Sequence, residues 1–113
     1  MINDVPVSCI NQAAIVYHVP AALILSIMRK ENSKNGQEVR NKNGTHDLGV
    51  MQINTRWLPT LSKYGYSRYD LQFDACKNVM VGTWILATSL AHGKTGWSGV
   101  GDYHSHTAKF NLA

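Results

Sequence analysis

A chain of 113 residues, 44% hydrophobic and 16% charged, fits one globular domain spanning 1–113, too small for two cores and without a low-complexity tract to suggest disorder. The net charge of +4 is mild. No apolar run approaches the ~20 residues that a bilayer span requires.

The N-terminal stretch "MINDVPVSC" lacks the basic start and apolar run of a secretory signal. The chain is therefore expected either to stay in the cytosol or to be a mature portion that has lost its leader. A first helix is predicted from Val5 or Pro6 to His18, because Val19 does not easily stay helical before Pro20. Pro20 suits the first position of a second helix, where a missing N–H costs nothing, and that helix should reach Asn32 or Ser33. At about 100° per residue, Ile24, Ile27, Met28 and Glu31 share one stripe of it, with Arg29 and Lys30 turned away. The polar run "KNGQEVRNKNGT" reads as a loop or small hairpin, and "DLGVMQIN" after it as a half-extended segment.

Thr55 can cap a helix through Tyr64, with Pro59 near its first turn. A turn-like "SRYD" precedes Asp74, which caps the longest helix, Ala75 to His92, and Gly93 ends it. Trp97 and Ser98 open a last short helix containing "GVGDYHSHT". The fold class expected is mainly α within an α+β domain, with about five helices and a small irregular or hairpin insertion.

Lys30, Lys34, Arg40 and Lys42 form the densest basic stretch, interleaved with Asn and Gly rather than aromatics. Without a groove-reading motif this is a solvated loop and not a nucleic-acid surface. The only cysteines, Cys9 and Cys76, are too far apart for a CxxC motif. Both sit on inward stripes, Cys9 with Ala13 and Tyr17, Cys76 with Val79, Thr83, Leu86 and Leu90. Two buried thiols are one reading; a bridge contributing roughly 4 kcal/mol, in an oxidising compartment, is the favoured one.

Glu31 is the residue that asks for chemistry. Its place on an apolar stripe and in the last turn of a helix both disfavour the anion. A carboxyl that keeps its proton is what general-acid attack on a glycosidic oxygen needs, and a buried structural glutamate is the alternative. A conventional glycosidase also needs a second acid. Among Glu38, Asp47, Asp70, Asp74 and Asp102, Asp47 is best placed, just before "LGVMQIN", yet turn formation is its commoner role. Asp74 reads as a cap and Asp70 as part of a turn. His18, His46, His92, His104 and His106 show neither an HExxH pattern nor a His/Cys cluster, so no metal is expected.

Taken in order, the proline-started helix ending in Glu31, then "NKNGTHDLGVMQIN", "DACKNVMVGTWIL" and "GVGDYHS" closely resemble the specialised lytic transglycosylases. These are lysozyme-like cell-wall enzymes that accompany conjugation systems, type IV pili and type III secretion machines. The resemblance covers nearly the whole chain, from Cys9 to Ser105. It implies that Glu31 is the catalytic acid, and that Met51 and Gln52, with Ile53 and Asn54 behind them, line the glycan groove together with Asp47. It implies that Tyr103 faces the catalytic glutamate and that His104 touches substrate. It also implies that Cys9 and Cys76 are disulfide-bonded. Two residues depart from the family pattern: Asn32 where serine often follows the glutamate, and His104 where asparagine often follows the tyrosine.

By the same resemblance, the reaction is cleavage of the β-1,4 bond between N-acetylmuramic acid and N-acetylglucosamine. One glutamate acts as acid and then as base, and the sugar's own C6 hydroxyl closes a 1,6-anhydro ring. No cofactor is implied. The expected protein is a periplasmic monomer acting on peptidoglycan, with components of a secretion or pilus machine as further partners. Two other readings are a lysozyme-type hydrolase with Asp47 as second acid and a catalytically silent wall-binding assembly protein.

Overall fold

The computed structural model describes residues 1–91, and the expected helix from Trp97, with Asp102, Tyr103 and His104, lies outside the described residues. The described chain forms five α-helices, a three-stranded sheet and one 3-10 turn around a common core.

Helix α1, Val7–Tyr17, follows Pro6, and His18 stops it in the left-handed region at φ 54° while its N–H bonds the carbonyl of Ala14. Ahead of it, Ile2 and Val5 pair across a tight bridge that leaves Val5 fully buried. Helix α2, Ala21–Glu31, begins one residue later than expected: Pro20 is its cap, at ψ 133°, and not its first turn. The missing N–H is harmless there for the same reason. The expected stripe is real. Ile24, Ile27 and Met28 are 0% exposed, whereas Arg29 and Lys30 face outward.

The polar insertion is a hairpin. Strand β1, Glu38–Arg40, pairs antiparallel with β2, His46–Leu48, and the Asn41–Thr45 connection closes through Gly44 at φ +87°. Strand β3, Ile53–Asn54, then pairs with β2, setting Asp47 opposite Asn54 and Leu48 opposite Ile53. The sheet order is β1-β2-β3.

The helix expected from Thr55 to Tyr64 is split into a 3-10 turn, Thr55–Trp57, and helix α3, Leu58–Ser62. Its cap is Asn54, whose side chain accepts the N–H of Arg56 at 2.9 Å. Thr55 is drawn away because its hydroxyl accepts the backbone N–H of His46 at 3.1 Å.

Helix α4, Arg68–Phe73, occupies the stretch expected to be a turn. Ser67 and Asp70 form a reciprocal capping box: Ser67 Oγ accepts the Asp70 N–H and Asp70 accepts the Ser67 N–H, both at 3.0 Å. Six residues are too few for an apolar period to declare itself, but the Ser-x-x-Asp spacing was the available signal.

Helix α5, Ala75–Ala91, is capped as expected, with Asp74 accepting the N–H of Lys77 at 3.0 Å. Its buried residues include Val79, Val81, Thr83, Ile85 and Leu86, so it is apolar on most sides. Cys9 and Cys76 are bonded, with Cα atoms 5.5 Å apart, tying α1 to the start of α5. Among the described residues no helix is long and apolar enough to cross a membrane.

Candidate active site

Glu31 closes α2. Asn32 takes the left-handed conformation at φ 50°, where asparagine is among the better-tolerated residues, and its N–H bonds the carbonyl of Met28 at 2.9 Å. Ser33, 3% exposed, donates to the Glu31 carbonyl at 3.2 Å and holds the helix end. The Glu31 side chain is half-buried, with Oε2 withdrawn from solvent. The chain then crosses to the sheet, where the Gln37 carbonyl accepts the N–H of Gly49 at 2.8 Å. That bond fastens the segment after Glu31 to the turn carrying Met51 and Gln52.

The turn Gly49–Gln52 is closed by the Gln52 N–H on the Gly49 carbonyl at 3.1 Å. Gly49 has φ +71°, and a Cβ there would lie 2.5 Å from the carbonyl oxygen of Leu71. Only glycine fits. Gln52 has φ 53°, a strained conformation for a non-glycine residue, yet it is 1% exposed. Its amide N donates to the Gly49 carbonyl at 3.0 Å and weakly to that of Asp47 at 3.5 Å. Its buried Oε1 has no hydrogen-bond partner among the described residues. The backbone and the nitrogen end of the amide are pinned.

Asp47 and Asn54 meet across β2 and β3. Asn54 donates to Asp47 Oδ1 at 3.1 Å and to Thr45 Oγ1 at 3.0 Å, while its own oxygen accepts Arg56. Asp47 is 0% exposed. Met51 is also fully buried, against Gly82 of α5. The structure thus gathers Asp47, Met51, Gln52 and Asn54 on and beside one small sheet. Tyr103 and His104 lie outside the described residues.

Two supporting features were not anticipated. Asn78 of α5 accepts the Met51 N–H at 2.8 Å and donates to the carbonyls of Leu48 and Leu71 at 2.8 and 2.7 Å. A lone asparagine among apolar residues of a buried helix was the signal, and buried amides are rarely idle. Trp57 and Trp84 meet edge-on, with centroids 5.8 Å apart. Trp84 also lines a cavity of about 400 Å³ with Tyr17, Tyr64 and Tyr66, where burial first and the Tyr66 phenol second push the Tyr17 hydroxyl above its ordinary range.

Residues 8–109 match the family described as "Transglycosylase SLT domain". The chain is similar to "Invasion protein IagB" of Salmonella typhimurium, 33% identical over 108 residues, covering 95% of this chain and 68% of the relative. It is equally similar to "Protein IpgF" of Shigella flexneri, 33% identical over 101 residues, covering 88% of this chain and 66% of the relative. A "Peptidoglycan-binding-like protein" of Escherichia coli O157:H7 is 28% identical over 112 residues, covering 92% of this chain and 67% of that protein. The helix-end glutamate, the small sheet and the glycine-hinged "GVMQIN" turn thus lie within a match that spans most of the sequence, and the chain belongs to the transglycosylase SLT domain family, as a lytic transglycosylase.

Proposed function

We propose that the protein cleaves peptidoglycan between N-acetylmuramic acid and N-acetylglucosamine with Glu31 as its single catalytic carboxyl, releasing 1,6-anhydromuramic acid. The contrast between two acids carries this reading. Glu31 stands half-buried at a helix end with one oxygen out of solvent, whereas Asp47 is wholly buried and bonded to Asn54. An acid enclosed in that way is poorly placed to act on an anomeric carbon, which among the described residues leaves Glu31 as the carboxyl to move both protons.

In the proposed sequence Glu31 gives its proton to the glycosidic oxygen as the bond from that oxygen to the muramoyl anomeric carbon breaks. The muramoyl N-acetyl oxygen supports the electron-poor carbon. The Glu31 carboxylate then takes the proton of the C6 hydroxyl, whose oxygen bonds to the anomeric carbon and closes the anhydro ring. Glu31 ends protonated, water is not consumed and no cofactor is called for. Tyr103 and His104 are the residues proposed to touch the glycan, while Met51, Gln52 and Asn54, each at most 1% exposed, shape the groove wall from within. Asp47 contributes by fixing the Asn54 amide.

The wider role follows from the relatives. One Salmonella relative carries "invasion" in its name, and we extend this to a role in opening local gaps in the wall for a secretion, conjugation or pilus machine. Residues 1–113 would act as one monomeric domain in the periplasm, where this substrate and the Cys9–Cys76 bridge belong together.

The mass of muropeptides released from purified sacculi tests the chemistry. Species one water lighter than their reducing counterparts, with no new ends for borohydride to trap, are expected. Hydrated, reducible products would indicate a hydrolase. The absence of any product, where a known wall-cleaving enzyme works, would indicate a silent binding protein.

A further inference from the structure

A second concavity lies on the outer part of the sheet. It encloses about 640 Å³ between the β1–β2 hairpin and the 3-10 turn, and three cations line it: Arg40, Lys42 and Arg56. Asn41, Asn43 and Asn54 supply amides between them. No acidic side chain lines it, and none of the three cations forms an ion pair among the described residues. The nearest acid along the chain, Glu38, is already held by Arg68 and His46, and Asp47 is sealed beneath the sheet.

The cations are not all loose. Arg56 is anchored by its own N–H and its Nε to the Asn54 oxygen, at 2.9 and 3.3 Å, which fixes the start of the guanidinium arm. The Asn54 nitrogen reaches Thr45 and Asp47. The cationic cradle and the groove residues therefore share one asparagine. Uncompensated like charges gathered in one hollow repel one another, so their coexistence suits an anionic ligand. Arginine forks match carboxylates in particular, and amides between them match peptide groups.

From this geometry we infer that the hollow binds the carboxylates of the peptide stems carried by peptidoglycan, so that the enzyme reads the peptide as well as the glycan. The inference rests on the proposed substrate. Its small, amide-lined shape favours a short acidic peptide over a nucleic-acid strand or a flat lipid surface. The shared Asn54 places the ligand beside the β2–β3 edge that leads into the Gly49–Gln52 turn.

Equilibrium binding separates this inference from the catalytic one. The protein carrying Glu31→Gln, which cannot turn over its ligand, would be titrated with a soluble glycan fragment bearing tetrapeptide stems and with the same fragment stripped of peptide by an amidase. Tighter binding of the peptide-bearing fragment is expected, by about tenfold or more for a charge-assisted carboxylate contact. That ratio should collapse towards one in the Arg40→Gln/Lys42→Gln double variant, whose two positions are exposed and leave the core intact. Equal affinity for both fragments would overturn the inference, as would a preference that survives the double variant. Binding of anionic phosphatidylglycerol vesicles that depends on the same two residues and displaces the muropeptide would overturn it in favour of a general anion site. If discrimination holds but wild-type protein releases no products from sacculi, the catalytic reading alone fails.

Discussion

Asn78 accepts the backbone N–H of Met51 at 2.8 Å and thereby hangs the Gly49–Gln52 turn from α5. Its amide also holds the carbonyls of Leu48 and Leu71, so one side chain joins the sheet, α4 and α5. Asn78→Ala would remove three hydrogen bonds to buried backbone groups, at about 1 kcal/mol or more each. Urea unfolding should report a loss of several kcal/mol, on the order of 3 or more. Asn78→Asp keeps the acceptor for Met51 but sets a carboxylate against two carbonyls, and should be no better tolerated than alanine. Stability equal to wild type in either variant would show that the network carries no weight.

Gly82 makes a second prediction about the same turn. A Cβ there would meet the Met51 sulfur at 2.5 Å and its Cβ at 3.0 Å. Methionine can bend, so Gly82→Ala should fold, with a cost of about 1–3 kcal/mol from overpacking. Because Met51 precedes Gln52, the shift should also lower the rate of sacculus cleavage. Thermal unfolding and a turbidity assay on one preparation would read both effects.

For Glu31→Gln the two readouts should separate. Wall-degrading activity is expected to vanish, while the melting temperature stays level or rises because a half-buried acid becomes a neutral isostere. Clearance of a sacculus suspension at the wild-type rate would remove Glu31 from the mechanism.

Thiol counting tests the bridge. Unfolded, unreduced protein should show no free thiol. The Cys9→Ser/Cys76→Ser variant should lose about 4 kcal/mol in the chain-entropy account, since the bond spans 67 positions of the chain.

Acid sensitivity should involve Asp70. The backbone N–H of Ser67 holds this carboxylate below its ordinary value of 3.8, with the Ser67 hydroxyl and Lys77 adding to the effect. The folded state therefore binds fewer protons than the unfolded state in that range, and the stabilisation is present above 3.8 and lost as the pH falls through the folded value. The stability difference between wild type and Asp70→Asn should be visible at neutral pH and close progressively in acid. Denaturant titrations at a series of pH values would show it, and a difference that widens on acidification would contradict the capping-box account.

Much of this architecture is determined by the sequence through local rules. The Ile24–Ile27–Met28–Glu31 stripe needs only a 3.6-residue period to bring Glu31 onto the apolar face, and Asp74 needs only its position before an apolar run to cap α5. The inward phases of Cys9 and Cys76 likewise anticipated their pairing. Tertiary structure decided what depends on partners distant in the chain. Thr55 lost its cap to Asn54 because the His46 N–H, nine residues away, claims its hydroxyl. Asp47 became a sealed acid only once β3 brought Asn54 against it. Arg40 and Lys42, read along the chain as solvated charges, came to line one hollow with Arg56 when the hairpin folded back beside the 3-10 turn. Period and capping act within a few residues, whereas burial and charge clustering are properties of surfaces that exist only after distant segments have met.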